Sequence, residues 1–232
     1  MDKLERYLND QTGPLSDNPD LLRREIAYER LKDALQHADL EAGEVLSENR
    51  LSKVLGLSRT PVREALHQLA QEGLVQVIPG RAVTVASPSV RSVMNVVHMR
   101  LLLEPELVRL AADFLNESEL RELVEIIDTM DRACLIDDHQ MWSRTDTRFH
   151  EIVAEACPNG LLAEVVIQMR NRAHHLASID SQTNPNRLKE CTAEHRQIVD
   201  RLVQRDGEGA AEATRSHIGI LRQSLFSRLS YG

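Results

Sequence analysis

Asp146 and His150 stand four residues apart in DTRFHE, and two further histidines follow, His195 in AEHRQ and His217 in RSHI. Residues four apart share one face of a helix. The face that holds Asp146 and His150 also carries Trp142, Phe149 and Val153, so it turns inward. His195 shares its face with Leu188, Cys191, Ile198, Val199 and Leu202, and His217 shares its face with Ala213, Ile220 and Leu221. Three helices thus each turn an imidazole toward an interior, and one of them adds a carboxylate. Buried ionisable groups are costly unless they are paired or bind a metal. One inward histidine is commonly a satisfied core residue, but three with an aspartate at helical spacing point to a single divalent transition ion per chain. Imidazole with carboxylate suits Zn or Ni, and also Mn, Fe or Co.

A second set of residues is basic. Ser58, Arg59, Thr60 and Arg63 open a helix just after Gly56-Leu57. Arginine forks match guanine O6 and N7, and hydroxyls with free first-turn N–H groups suit phosphate oxygens. Arg81, beside Gly80 at the tip of a hairpin, is placed to reach a minor groove or a backbone. Arg100 shares a helix face with Val96, Leu103 and Leu107. It reads either as an inward partner of Glu104 at i+4 or as a clamp for a ligand carboxylate, which arginine binds with two parallel hydrogen bonds. Arg170 and Arg172 read either as pocket lining or as surface charge, and surface charge is the stronger reading.

These residues need elements to hold them. The chain has 232 residues, 42% hydrophobic and only 3% aromatic, with 10 Gly and 8 Pro. That length supports a buried core in one or two domains, and the composition disfavours an all-β sandwich and disorder alike. The expected fold class is mainly α, with an N-terminal winged helix-turn-helix and a C-terminal all-α bundle of six or seven helices. Residues 1 to 20, with their Gly, Pro and Asn breakers, read as a flexible arm in which residues 1 to 8 form at most a short helix. Helical periodicity over 19–37, 47–55 and 58–73 is followed by two short runs, 74–78 and 82–85, around Pro79-Gly80, a hairpin signal. Residues 21–86 are therefore read as the winged domain. From 89 to 230 helices are expected over 89–115, 117–134, 138–156, 160–178, 186–205 and 208–229. Cys134, Cys157 and Cys191 are widely spaced and odd in number, so no disulfide framework follows. No apolar run approaches the roughly 18 to 20 residues that span a bilayer, and no signal core opens the chain, so no membrane partner and a cytoplasmic location are expected.

The run LSENRLSKVLGLSRTPVREALHQLAQEGLV resembles the DNA-binding motif of the GntR family of bacterial transcription regulators, in particular the FadR-like branch. The resemblance implies that Arg59, Thr60 and Arg63 contact operator bases or phosphates, with Ser58 and Arg50 as weaker carry-overs; Gly80 and Arg81 are expected DNA contacts from their place at the wing tip. Asn49 departs from the Arg common at that position. Farther on, DTRFHEIVAEACPNGLL, EHRQIVDRLVQRDGEGAAEA and RSHI resemble the FadR C-terminal domain, FCD. Metal-binding members use an Asp, the His four later, and one His from each of two later helices, which map onto Asp146, His150, His195 and His217. Arg100 matches the family's R..LE…AA segment.

The resemblance implies a regulator, commonly a repressor of metabolic genes, that binds a palindromic operator as a homodimer and responds to a small carboxylate-bearing metabolite at a metal-containing pocket. Two other readings stand beside it: a regulator for which the ion itself is the signal, and a metal-dependent hydrolase. Against the hydrolase, no general base stands out and no HExxH motif occurs. A net charge of −8 disfavours a phosphate partner on average. The acidity is uneven, however. Residues 22–86 carry 9 basic and 9 acidic side chains, while 1–21 carry 2 and 5, and 87–232 carry 17 and 22.

Overall fold

The computed structural model describes residues 3–10, 22–38, 40–78, 82–86, 89–183 and 186–229. Gly80 and Arg81, expected at the wing tip, lie outside them. The chain divides into two compact units, 1–88 and 89–232. It is mainly helical, with ten helices and one small sheet among the described residues.

The first unit opens on α1 (Lys3–Asp10). Leu4, Tyr7 and Leu8 follow helical spacing and are buried. Tyr7 donates its hydroxyl to Asp33, and Arg30 donates to the Leu8 carbonyl at 2.9 Å. Residues 3–10 form the short helix that the sequence allows over 1 to 8, packed through this apolar stripe and not part of a free arm; residues 11–20, where the arm is expected, lie outside the described ones. Helix α2 (Arg23–His37) buries Ala27, Leu31, Ala34 and Leu35. A two-residue strand β1 (Val45–Leu46) follows, too short to leave a period in the sequence. Helix α3 (Glu48–Leu55) starts with the Ser47 hydroxyl accepting from the Arg50 N–H, and ends at Gly56 in a left-handed conformation, φ 65°. Helix α4 (Arg59–Gln71) carries Pro61 in its first turn, where a missing N–H costs little, and buries Val62, Ala65, Leu66 and Leu69. Strands β2 (Val75–Ile78) and β3 (Ala82–Val85) form the expected hairpin, and β1 adds to the far edge, giving the antiparallel order β1-β3-β2 with Val45 opposite Thr84. This is a winged helix-turn-helix.

The second unit holds α5 (Val90–Ala111), α6 (Glu117–Ile136), α7 (His139–Ala156), α8 (Gly160–Thr183), α9 (Arg187–Val203) and α10 (Gly207–Leu229). Polar caps set their starts. Asn116 accepts from the N–H groups of Ser118 and Glu119, and Asp138 accepts from that of Met141. The core gathers Leu123, Ile127, Met130, Phe149, Ile152 and Leu202, all at most 1% exposed. Helix α6 packs on α7 and α9, while α5 packs on α8 and α10, so α7, α9 and α10 turn their inner faces toward shared space. Among the described residues no helix is long and apolar enough to cross a membrane.

Candidate metal centre and candidate DNA-reading helix

Helix α7 sets Asp146 and His150 one turn apart, and α9 brings His195 onto them. His195 Nε2 lies 3.1 Å from Asp146 Oδ1 and 3.2 Å from His150 Nε2, and His150 Nε2 lies 3.6 Å from Asp146 Oδ1. Metal–ligand bonds near 2.0–2.2 Å, at ligand angles between square and tetrahedral, give ligand–ligand edges of about 2.8–3.6 Å. The triangle fits a first-row ion. Its ring chemistry fits as well. His195 Nδ1 sits 2.8 Å from the Cys191 carbonyl, which can only accept, so Nδ1 carries a proton and Nε2 is the nitrogen turned to the centre. His195 is fully buried, and Phe149 packs edge-on against both His150 and His195.

His217 on α10 reaches the same histidine, its ring centroid 4.7 Å from that of His195. Ligand-capable atoms form two overlapping groups that share His195: Asp146 with His150, and His217 with Cys191. Sequence reasoning placed Cys191 on this face without giving it a role. It also missed what holds His217. Glu194 Oε2 accepts from His217 Nδ1 at 2.6 Å, and buried Arg187 grips both oxygens of Glu194 at 2.7 and 3.3 Å. The carboxylate fixes the proton on Nδ1 and leaves Nε2 as the ligating atom. Burial pushes the Glu194 carboxyl up, but His217 and Arg187 bring it down to about 2, so it stays anionic. Glu194→Gln, which keeps the shape and removes the charge, is expected to lower metal affinity ten- to a hundredfold in a competition titration with a chelator, the range typical for partners one step behind a ligand.

The centre's electrostatics favour ligation at two ligands and oppose it at a third: burial lowers His195, but Cys191 and Asp146 raise it to about 10, so an incoming ion has to displace a proton there. Burial raises the Asp146 carboxyl, yet His150, His195 and Arg170 together hold it well below the usual range. Burial, with Arg170 nearby, pushes His150 well below its ordinary value, leaving the neutral ring that a metal requires.

Beside the centre lies a small cavity of about 10 Å³, room for about one water molecule. Leu107, Val153, Val166 and Ile198 form apolar walls; Glu104, His150, Arg170 and His217 form the polar side. Arg100, expected as a clamp, is not among the lining residues. It is 4% exposed and spends its fork on Glu104, with Nε at 2.5 Å from Oε1 and Nη2 at 3.4 Å from Oε2. The i+4 pairing is the reading that the geometry carries. The arginine at the cavity is Arg170, for which the sequence favours surface charge over pocket lining. It shares the α8 face of Ala163, Val166 and Ile167, which pack into the core, and that was the available signal. Its Nη1 donates to Glu104 Oε2 at 3.3 Å and its Nη2 to Asp146 Oδ2 at 3.2 Å.

In the first unit, α4 exposes Ser58, Arg59, Thr60 and Arg63 while burying Pro61 and Val62. Ser58 makes no side-chain cap, so the first turn offers its N–H groups and a hydroxyl together. Arg63 reaches back to Glu48 on α3, with Nε at 3.1 Å and Nη2 at 3.0 Å from one oxygen. Arg50 points elsewhere: Glu5 of α1 takes its Nε at 2.6 Å and its Nη2 at 3.0 Å. A phosphate contact by Arg50 has to displace Glu5.

Comparison with known proteins agrees with both halves. Residues 23–85 match the bacterial regulatory proteins of the gntR family, and residues 95–219 match the FCD domain. The chain is 28% identical over 223 residues to the HTH-type transcriptional repressor NanR of Citrobacter rodentium, covering 84% of this chain and 82% of that one. It is 26% identical over 211 residues to the HTH-type transcriptional repressor RspR of Escherichia coli K12, covering 90% and 91%. Among solved structures, E. coli McbR/YncC superposes with a TM-score of 0.79 at 25% identity, over 90% of this chain and 99% of that one. These relatives are transcriptional regulators and not enzymes, which sets the hydrolase reading aside. The chain belongs to the GntR family of bacterial transcriptional regulators, with a GntR winged helix-turn-helix followed by an FCD domain.

Proposed function

We propose that this DNA-binding regulator is a metabolite-responsive repressor of metabolic genes. Its FCD domain holds one divalent transition ion, Zn or Ni before Mn, Fe or Co, on Asp146, His150, His195 and His217. The observation that carries this reading is the convergence of Asp146 Oδ1, His150 Nε2 and His195 Nε2 within 3.1–3.6 Å beside a small cavity bordered by the half-buried Arg170. A bound ion there supplies positive charge and open positions for the oxygens of a small organic acid. Repression is supported by the relatives NanR and RspR, both named repressors. The chain acts in the cytoplasm as a homodimer on a palindromic operator, with two α4 helices set about 34 Å apart to read successive major grooves. The effector weakens operator binding by favouring a different arrangement of the two winged domains, which requires unequal affinity for the two states. Operator affinity titrated separately against metal and against organic acids tests the reading. An acid that shifts the affinity of the metal-loaded protein supports it. A shift driven across physiological concentrations by metal alone replaces it with the reading in which the ion is the signal.

A further inference from the structure

Donor atoms gather a second time, on the far side of the His195 ring. Helix α9 sets Cys191 one turn before His195, and α10 packs on α9 and brings His217 to them. The three residues are buried, and each places a ligand-capable atom within 4.8 Å of the others. Cys191 Sγ lies 3.6 Å from His195 Nδ1. Bonds near 2.3 Å to sulfur and 2.0–2.1 Å to nitrogen, at angles of about 110–120°, give a sulfur–nitrogen edge of about 3.5–3.8 Å. The spacing is that of two ligands of one ion.

This set differs in chemistry from the one around Asp146. It offers sulfur and imidazole without a carboxylate, because Glu194, behind His217, is engaged by Arg187 and by His217 Nδ1. Thiolate is a soft donor that selects Cu(I) or zinc, whereas carboxylate with imidazole suits borderline divalent ions. Charge decides between the two soft choices. An ion seated on Cys191 and His195 displaces one proton from that pair, whichever of the two carries it. A monovalent ion therefore leaves the charge of the buried interior unchanged. A divalent ion adds one positive charge to it, and buried unpaired charge is costly. His195 can serve either position, because each ring nitrogen has an acceptor: the Cys191 carbonyl lies 2.8 Å from Nδ1 and Asp146 Oδ1 lies 3.1 Å from Nε2. An ion at the Asp146 end leaves the ring proton on Nδ1, and an ion at the Cys191 end leaves it on Nε2. A neutral imidazole keeps one proton, so it serves one ion at a time.

We propose that Cys191, with His195 and His217, forms a soft-ion position that takes Cu(I), separate from the divalent position at Asp146 and His150. It goes beyond the function proposed above and shares His195 and His217 with that site, so the test reads the two ions separately. Metal-free full-length protein is titrated without oxygen, with Cu(I) against a chromogenic Cu(I) chelator and with Zn(II) against a zinc chelator. The wild-type chain is expected to hold one Cu(I). Cys191→Ser is expected to weaken Cu(I) binding at least about a hundredfold and to leave Zn(II) within about threefold. Asp146→Asn, which keeps an acceptor oxygen for His195, is expected to weaken Zn(II) at least about tenfold and to leave Cu(I) unchanged. Cys134→Ser and Cys157→Ser are expected to change neither. Copper X-ray absorption on the wild-type chain, which needs no variant, is expected to show one sulfur among nitrogens. A wild-type chain that takes no Cu(I) from the chelator overturns the proposal. So does copper with nitrogen and oxygen neighbours alone, or a Cu(I) affinity unchanged in Cys191→Ser. Equal loss of both ions from either variant overturns it as well, since one shared site or a merely structural cysteine behaves that way. A Zn(II) affinity unchanged in Asp146→Asn overturns the divalent reading and leaves this one standing.

Discussion

Alanine at both His195 and His217 is expected to strip the FCD domain of its metal. His195 is fully buried and His217 nearly so, each with its Nδ1 tied by a hydrogen bond and its Nε2 left to ligate. The double variant leaves only Asp146 and His150, a pair on one helix. Four-ligand sites for zinc are worth roughly 10–16 kcal/mol, so losing half the set costs several kcal/mol, at least about a thousandfold in affinity. Elemental analysis is expected to fall from one ion per chain to a trace. Two independent readouts follow from the structure. The single tryptophan, Trp142, lies edge-on to His195 with centroids 6.2 Å apart and donates its Nε1–H to Thr192 on the same helix, so metal uptake is expected to change its fluorescence in the wild type only. Metal at about a thousand times its dissociation constant adds about 4 kcal/mol to native stability, or roughly 10 °C in Tm for a domain of this size. Truncating two buried rings also leaves cavities that lower the metal-free Tm. The decisive comparison is thus between loaded and unloaded samples of the same variant, where the double variant is expected to show no shift. Retention of a full equivalent of metal refutes the site.

The part of this centre that the sequence shows is the part written on single helices. Asp146 and His150 are local neighbours, and His195 and His217 each stand among apolar residues that name the buried face. The parts it hides are decided between helices. Glu194 lies one residue from His195, yet it serves His217 on α10, and nothing in its own helix announces that. The sequence leaves two readings open at Arg100 and at Arg170 for a related reason. The i+4 spacing of Arg100 and Glu104 allows a surface pair or a clamp, and only the packing of α8 on α5 shows that Glu104 is sealed inside and shared with a second arginine. A charge on a long helix is usually solvated, so surface charge is the stronger reading of Arg170 from sequence, ahead of pocket lining, despite its apolar company. In the winged unit the helices and the hairpin were legible from caps and breakers such as Ser47, Gly56 and Pro61. Helix α1 was legible only as a short helix the sequence allows, because eight residues of stripe rarely hold a helix without a tertiary partner, and Leu4, Tyr7 and Leu8 acquire theirs only in the folded unit.

Arg63→Ala is expected to weaken operator binding by one to two orders of magnitude per half-site without unfolding the winged domain. The stability half of this outcome follows from exposure. The Arg63 side chain is 58% accessible, and its ion pair with Glu48 is of the kind that contributes little. The binding half follows from placement. Arg63 stands one turn into α4, on the same exposed edge as Arg59 and Thr60, and the N-terminal turns of a recognition helix are those that meet base edges. Glu48 holds the guanidinium from the α3 side, so its direction is set before DNA arrives. A fork held in this way and set on a guanine is worth about 1–3 kcal/mol of discrimination. On a dimer with two half-sites the loss doubles in free energy. The salt dependence separates base reading from phosphate attraction. A neutral winged domain makes few phosphate contacts, so the slope of log affinity against log salt is expected to be shallow and to change little in Arg63→Ala if the residue reads a base. If the residue holds a phosphate instead, the slope falls by about one and the loss is the same on every sequence. Unchanged affinity at a verified operator removes Arg63 from the recognition surface and leaves Arg59 and Thr60 to carry it.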